Sequence, residues 1–407
     1  MSTAAPAKPP RSWAGVPLPL IIVIGVALFV GHLGIYAVPI QIGSLMDWLG
    51  ISAAGSGMLG TAELLAIALT SIAVSPRVTS WNLSRLAVGG ALLAAAAELL
   101  TLAADAGPAL FAARITVGVG CGAVYAAVCA IAAGTGQPDR VFAAGTALMN
   151  GGFLVLFAVL PHVSAALGPQ AVFPALGLLL ACFAPFLGRL PPSPGLAAET
   201  EGQRSRAAPA AVVSHFAGLV CLNLGLGATW GFAERMGLDA GATPVEVGNI
   251  LSASMLPMIG GCLLATVLGA RYGRTLPVLV ASLCCAISAF GMAAGLSVAV
   301  YTASVMLYGA AYLFVGPYVI SGIPSALDPS GRLAAAAGGT MWLSYSLGLT
   351  AGGLIVDLAS TRGIGWLALV GCSAAAPLFF AASRAGDALP EVPQVPGDEG
   401  PDTRLVI

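Results

Sequence analysis

Charge is what this chain has least of. Only 8% of its 407 residues are Asp, Glu, Lys or Arg; there is one lysine, Lys8, and there are three histidines. A soluble domain of this length carries about 25% charged residues, so a water-soluble globular fold is excluded. A formal net charge of -1 leaves no basic surface that would call for a nucleic-acid partner. The eight cysteines, Cys284 and Cys285 included, fall at no metal-ligand or redox spacing and read as small apolar residues buried in lipid. No nucleophile-and-base arrangement, metal cluster or phosphate-cradling loop is present either. Neither catalytic residues nor a metal or cofactor is therefore expected, and an enzyme is the least favoured class.

What the chain does have is apolar length. Hydrophobic residues make up 58% of it and glycine contributes 53 positions. These are arranged as twelve long runs, with the charge collected in the short segments between them. A hydrocarbon core about 30 Å thick needs roughly 20 residues per spanning helix. Runs of that order fall at about 17–43, 53–75, 84–104, 108–133, 141–165, 170–188, 210–232, 244–268, 275–296, 298–323, 333–357 and 362–383. They are continuous and rich in Ala, Leu, Gly and Val, unlike the short alternating strands of a membrane barrel. The expected fold class is an all-α polytopic membrane protein.

Basic residues set the expected orientation. With the N-terminus in the cytoplasm, inside segments collect Lys8, Arg11, Arg77, Arg85, Arg140, Arg189, Arg204, Arg206, Arg271, Arg274, Arg332, Arg384 and Arg404. Outside segments keep Arg235 and Arg362. An even number of spans with both termini inside follows from retention of positive loops. The first span is too long for a signal-peptide core and reads as an uncleaved helix. The predominance of arginine over lysine, with abundant Ala and Gly, points to a high-GC bacterial genome and hence a bacterial cytoplasmic membrane, with a monomer as the expected state.

The longest polar interruption carries Pro191, Pro192, Pro194, Glu199, Glu201, Arg204 and Arg206. It divides the chain into a cytoplasmic leader (1–16), a first six-helix bundle (17–189), a linker (190–209), a second six-helix bundle (210–384) and a Pro-rich acidic tail (385–407) expected to be disordered. The halves echo each other. Before the fifth span the chain reads Asp139-Arg140-Val-Phe-Ala-Ala-Gly145-Thr146-Ala-Leu-Met149. Before the eleventh it reads Gly331-Arg332-Leu-Ala-Ala-Ala-Ala-Gly338-Gly339-Thr340-Met341. Paired bundles can enclose one site and expose it alternately to either face.

Twelve spans, a central linker and paired halves resemble the major facilitator superfamily of secondary transporters, over about residues 15–385. Arg114-Ile-Thr-Val-Gly118-Val-Gly120-Cys121-Gly122 in the fourth span is similar to that family's Arg-plus-glycine motif. Gly269-Ala-Arg271-Tyr-Gly273-Arg274 resembles its Gly/Arg loop motif without the usual acidic residue, and Ser75 to Arg85 keeps only the basic character of the equivalent loop. The fifth span has Gly145, Gly151 and Gly152 but no Gly-Pro pair of the kind the family's drug/proton antiporters carry. The resemblance implies two pseudo-symmetric six-helix bundles working by alternating access.

Ionisable groups within the spans are functional candidates, because each is costly in lipid unless paired or hydrated. Four lie deep: His32, Glu63, Glu98 and Arg114. His32 and Tyr36 are four apart on one helical face, in a segment loosened by Gly31, Gly34 and Pro39. The alternative for His32 is a structural bond to a backbone carbonyl. Ser56, Glu63 and Thr70 form a polar stripe in which Glu63 is the expected proton-coupling residue. Arg114, with Gly118 and Gly122 on its face, suits recognition of a carboxylate. A permanent Glu63–Arg114 ion pair joining two helices is the alternative. Glu98 is expected to be structural or hydrated, and Glu234 and Asp357 to be exposed near the outer surface. The second half instead offers Asn223, Trp230, Tyr308, Tyr312, Trp342 and Tyr345 as an amphipathic wall for an organic substrate, or as packing.

The expectation is a proton-coupled symporter of a small organic anion, aromatic ones included. Glu63 exchanges the proton, Arg114 holds the anion, and His32 with Tyr36 tunes their coupling. The expected partners are that substrate, protons and the bilayer. Two rivals stand beside it: a proton-driven exporter of a hydrophobic or amphipathic compound, and a membrane sensor that binds without carrying.

Overall fold

In the computed structural model, residues 12–13, 16–135, 138–194, 208–269, 271, 273–328 and 332–387 are described. Most of the expected leader, linker residues 195–207 and the tail beyond 387 lie outside them. Eleven of the described helices are long and apolar enough to cross a bilayer. The first span is built from three shorter pieces, α1 (Leu18–Gly31), α2 (Leu33–Tyr36) and α3 (Val38–Leu49). The chain continues through α4 (Ala53–Val74), α5 (Leu83–Thr101), α6 (Pro108–Ala133), α7 (Pro138–Leu167) and α8 (Val172–Leu187). The second half comprises α9 (Pro209–Gly231), α10 (Ala233–Asp239), α11 (Pro244–Leu268), α12 (Thr275–Ala293), α13 (Val298–Pro317), α14 (Ile323–Leu327), α15 (Arg332–Leu358) and α16 (Thr361–Asp387).

Local sequence explains the boundaries. Ser52 and Asn82 accept from the backbone N–H groups of Gly55 and Arg85 and so open α4 and α5. Thr243 and Glu246 form a reciprocal capping box at α11. Proline in the first turn starts α6, α9 and α11, where its missing N–H is harmless.

The seventh span breaks as the first does. His32 leaves the helix with φ -99° and ψ 4°, and Phe232 with φ -107° and ψ 16°, which is a structural echo between the halves. The first break is reinforced by Pro39, which cannot donate within the helix. In the tenth span, Gly316-Pro317 is followed by one π-helical turn, Tyr318–Gly322, so the helix widens just after the proline.

Lipid-facing and core surfaces separate cleanly. Leu69, Leu99, Val155, Leu178, Ile287 and Val370 are exposed, while Leu28, Val124, Phe153, Leu226, Phe232 and Phe379 are buried. This is a multi-pass membrane protein: an apolar exterior that would aggregate in water is what a bilayer solvates. Within the first half α6 packs on α4, α5 and α1; within the second, α9 packs on α15 and α16. The halves meet mainly through α4 against α15 and α7 against α11.

Candidate functional site: a central aromatic cavity beside a buried ionic triad

Among the described residues, polar contacts across the inter-half seam gather toward one face. Arg77, Arg140, Arg274, Arg332 and Arg384 lie at one end of their helices and define an Arg-rich face. At the opposite face, Asp357 at the end of α15 accepts from the first free amides of α4, Ala53 N–H at 3.0 Å and Ala54 N–H at 2.9 Å. Arg235 of α10 pairs with Asp47 of α3 at 2.9 Å and donates to the Gly43 carbonyl. Deeper in, Thr61 Oγ1 donates to the Ser346 carbonyl at 2.6 Å and meets Thr350 Oγ1 at 2.7 Å. Close approach of α4 and α15 depends on two glycines, since a Cβ at Gly57 would overlap the Leu349 carbonyl and one at Gly353 the Ala53 carbonyl.

Below this seal lies a cavity of about 280 Å³ that draws walls from both halves. His32, Tyr36, Tyr125, Phe142, Thr146 and Met149 line it from the first half. Trp230, Met258, Tyr308, Tyr312, Met341, Trp342 and Tyr345 line it from the second. It carries eight Phe, Tyr or Trp rings and no Asp, Glu, Lys or Arg. Thr146, Met149, Gly338 and Met341 belong to the two echoing segments, so the repeat seen in sequence contributes corresponding walls. A second cavity of about 420 Å³ shares Thr146 and Leu313 with the first and reaches Arg140, leading between α7 and α11 toward the Arg-rich face.

The rings are held in a continuous array. Trp230 stacks on Tyr308 (6.0 Å, 8°), which stacks on Tyr312 (6.1 Å, 18°). Tyr36 stacks on Phe153 at 4.3 Å. The array crosses the seam at Tyr36–Trp230 (6.4 Å) and His32–Trp342 (6.2 Å). Polar tips fix several rings: Trp230 Nε1–H donates to the Tyr36 carbonyl at 3.3 Å, and the Tyr308 hydroxyl to the Leu226 carbonyl at 2.9 Å. His32 Nδ1 lies 2.8 Å from the Leu28 carbonyl, the structural bond weighed as its alternative, yet the ring still borders the cavity.

Seven of the nine expected binding residues therefore meet at one cavity: His32, Tyr36, Trp230, Tyr308, Tyr312, Trp342 and Tyr345. Arg114 and Asn223 do not. Asn223 is buried in α9 and donates to the Leu219 carbonyl. Arg114 is enclosed within the first half, where its guanidinium binds Glu63 Oε2 (Nε 3.0 Å, Nη2 2.6 Å) and Glu98 (Nη1–Oε2 2.7 Å, Nη2–Oε1 3.2 Å). All three side chains are at most 1% exposed. Gln41 Nε2 reaches Glu98 Oε1 at 3.4 Å, and the guanidinium lies over the Phe173 ring at 5.5 Å. A Cβ at Gly118 would overlap the Glu63 carbonyl, so this glycine lets α6 carry Arg114 against α4.

Sequence reasoning missed Tyr125, Phe142, Met149 and Met258, among others, in the cavity and Gln41 at the triad. Tyr125, eleven residues after Arg114 on the same helix, was the available signal for the first. The triad and the cavity adjoin through α2 and the residues flanking it. Gly34 lies against Glu63 Oε1, which is buried and has no hydrogen-bond partner, while His32, Ile35 and Tyr36 border the cavity.

The profile of the Major Facilitator Superfamily matches residues 22–342. The chain belongs to that superfamily. Solved structures of the same fold include a POT family transporter in complex with 5-aminolevulinic acid (14% identity, TM-score 0.71, covering 93% of this chain and 98% of that one). A D-xylose-proton symporter (15%, 0.69, 89% and 96%) and the nucleoside transporter NupG (16%, 0.68, 90% and 99%) are similar to the same extent. At these identities the likeness is one of fold. No curated protein matches the chain. Membership makes this major facilitator protein a secondary transporter, with the aromatic cavity at the seam between its halves.

Proposed function

We propose that the protein is an alternating-access carrier of a small, largely planar organic solute, moved together with a proton. The observation that carries the substrate class is the cavity itself: eight aromatic rings and no formal charge, with tyrosine hydroxyls and the His32 ring interspersed. Such a wall stacks on a flat apolar body and fixes its polar substituents by neutral donors and acceptors. A carboxylate on the solute would be received by these groups rather than by Arg114, four of whose five N–H donors already serve two buried carboxylates. The Arg-rich face is assigned to the cytoplasm by retention of positive loops, so the cavity is closed outward and approached from inside.

The proton site in this reading is the triad. Two carboxylates on one guanidinium leave a surplus negative charge that a single proton neutralises, in a place where net charge is costly. Glu63 bears the free oxygen, and that oxygen faces Gly34 in the hinge that also shapes the cavity. A proton on Glu63 and a solute against His32 and Tyr36 thus act on one hinge, which is a physical route for coupling.

The test is uptake into proteoliposomes with internal pH recorded, using benzoate and phenol-type solutes beside aliphatic carboxylates, for wild type and E63Q. Acidification with the aromatic solutes, abolished by E63Q, is expected. Uptake indifferent to the ring would reject the substrate class. Alkalinisation of the lumen would select exchange, as in an exporter, and saturable binding without flux would select a sensor.

A further inference from the structure

Glu234 was expected to be an exposed residue of the outer surface. The structure instead places it in α10, past the end of the α9 span, at the seam closed against α3. Its Oε2 is shut off from solvent and has no hydrogen-bond partner. It packs against Gly43 so closely that a Cβ there would overlap the carboxylate.

The neighbouring groups do not compensate it. Arg235 directs Nη2 at Asp47 and the Gly43 carbonyl, and its Nε is likewise buried without a partner. The Tyr301 hydroxyl of α13 donates elsewhere, to the Ala233 carbonyl at 2.7 Å. Among the described residues Arg235 of α10 and Asp47 of α3 act on Glu234, and the Tyr301 hydroxyl of α13 lies near enough to feel its charge. The residue as a whole is half-buried, and it is the enclosed, unpartnered Oε2 that disfavours the ionised carboxyl relative to the protonated one.

We propose that Glu234 is a proton-binding residue of the gate at the face opposite the Arg-rich one: the halves close over it when its carboxyl is protonated and part when it is ionised. Closure brings α3 onto α10 and removes water from one carboxyl oxygen, Oε2; opening returns that oxygen to water. Burial pushes the carboxyl up to about 8, opposed by Arg235 and reinforced by Asp47. The hydrated group titrates near the ordinary glutamate value of about 4.3. Closure is therefore fully supported below that lower value and loses support as the pH rises through the upper one, by at most about tenfold per pH unit for one proton. By reciprocity, closing the gate takes up a proton. The proposal rests on the alternating-access reading and on neither the solute nor Glu63.

The experiment uses the full chain in nanodiscs. Spin labels are carried by unnatural side chains at positions 102 and 296, exposed leucines at the gated ends of the two halves, and their distance is followed from about pH 5 to pH 9. The wild type is expected to pass from short to long distances as the pH rises, while E234Q stays short throughout. A wild type without pH dependence, or an E234Q curve that follows it, overturns the proposal. Equal thermal stability of E234Q and wild type confirms that a folded protein is being compared. Because no transport is measured, failure of the solute reading leaves this outcome unaffected.

Discussion

Replacing Arg114 by methionine removes four hydrogen bonds between 2.6 and 3.2 Å and the positive charge they share. Glu63 and Glu98 are then left facing each other at 1% and 0% exposure. Breaking a buried pair by removing one partner costs about 3–5 kcal/mol, because a charge stays behind without compensation. E98Q behaves differently: it removes the surplus charge and leaves the Glu63–Arg114 pair whole, so its cost is that of weakened hydrogen bonds, about 1–2 kcal/mol. Adding E63Q and E98Q to R114M should recover most of the loss, since no charge then remains buried. Equilibrium unfolding in mixed SDS micelles, read by tryptophan fluorescence, gives the three values, and the recovery is a coupling energy in the sense of a mutant cycle. An R114M cost no larger than that of E98Q, or a triple variant no more stable than R114M, would refute the reasoning and mean that the triad is hydrated.

Other residues give sharper local readouts. D357A should loosen the gated face, because Ala53 and Ala54 lose their acceptor; at about 1 kcal/mol for a cap, the open population grows roughly fivefold, read by the same label pair. W342A should weaken binding of an aromatic probe at least about tenfold by calorimetry while binding of an aliphatic analogue changes less, since the ring contacts both His32 and Tyr345. Y308F should cost about 1 kcal/mol of stability in the unfolding assay by losing its bond to the Leu226 carbonyl. G57L should hold α4 off α15 and favour the open gate at every pH, visible as long label distances without a pH transition.

Solvent and scaffold are written along the chain. Long apolar runs with charge between them admit only spanning helices, because lipid offers no partner for an unpaired backbone group. That constraint is one-dimensional, so it is legible along the chain, as are the repeated halves, the deep ionisable residues and the aligned tyrosines of α13. Which of these groups share a space is settled by packing in three dimensions. Arg114 is four residues from Gly118 whether its guanidinium faces a cavity or a neighbouring helix, and α5 supplied Glu98 to claim it. Glu234 sits at a span end whether water or Gly43 lies beside it, and the closed seam chose Gly43. Tyr125 joined His32 because two helices distant in sequence cross there. Helix rotation and inter-helix contact depend on all neighbours at once, and no periodicity within one span encodes them.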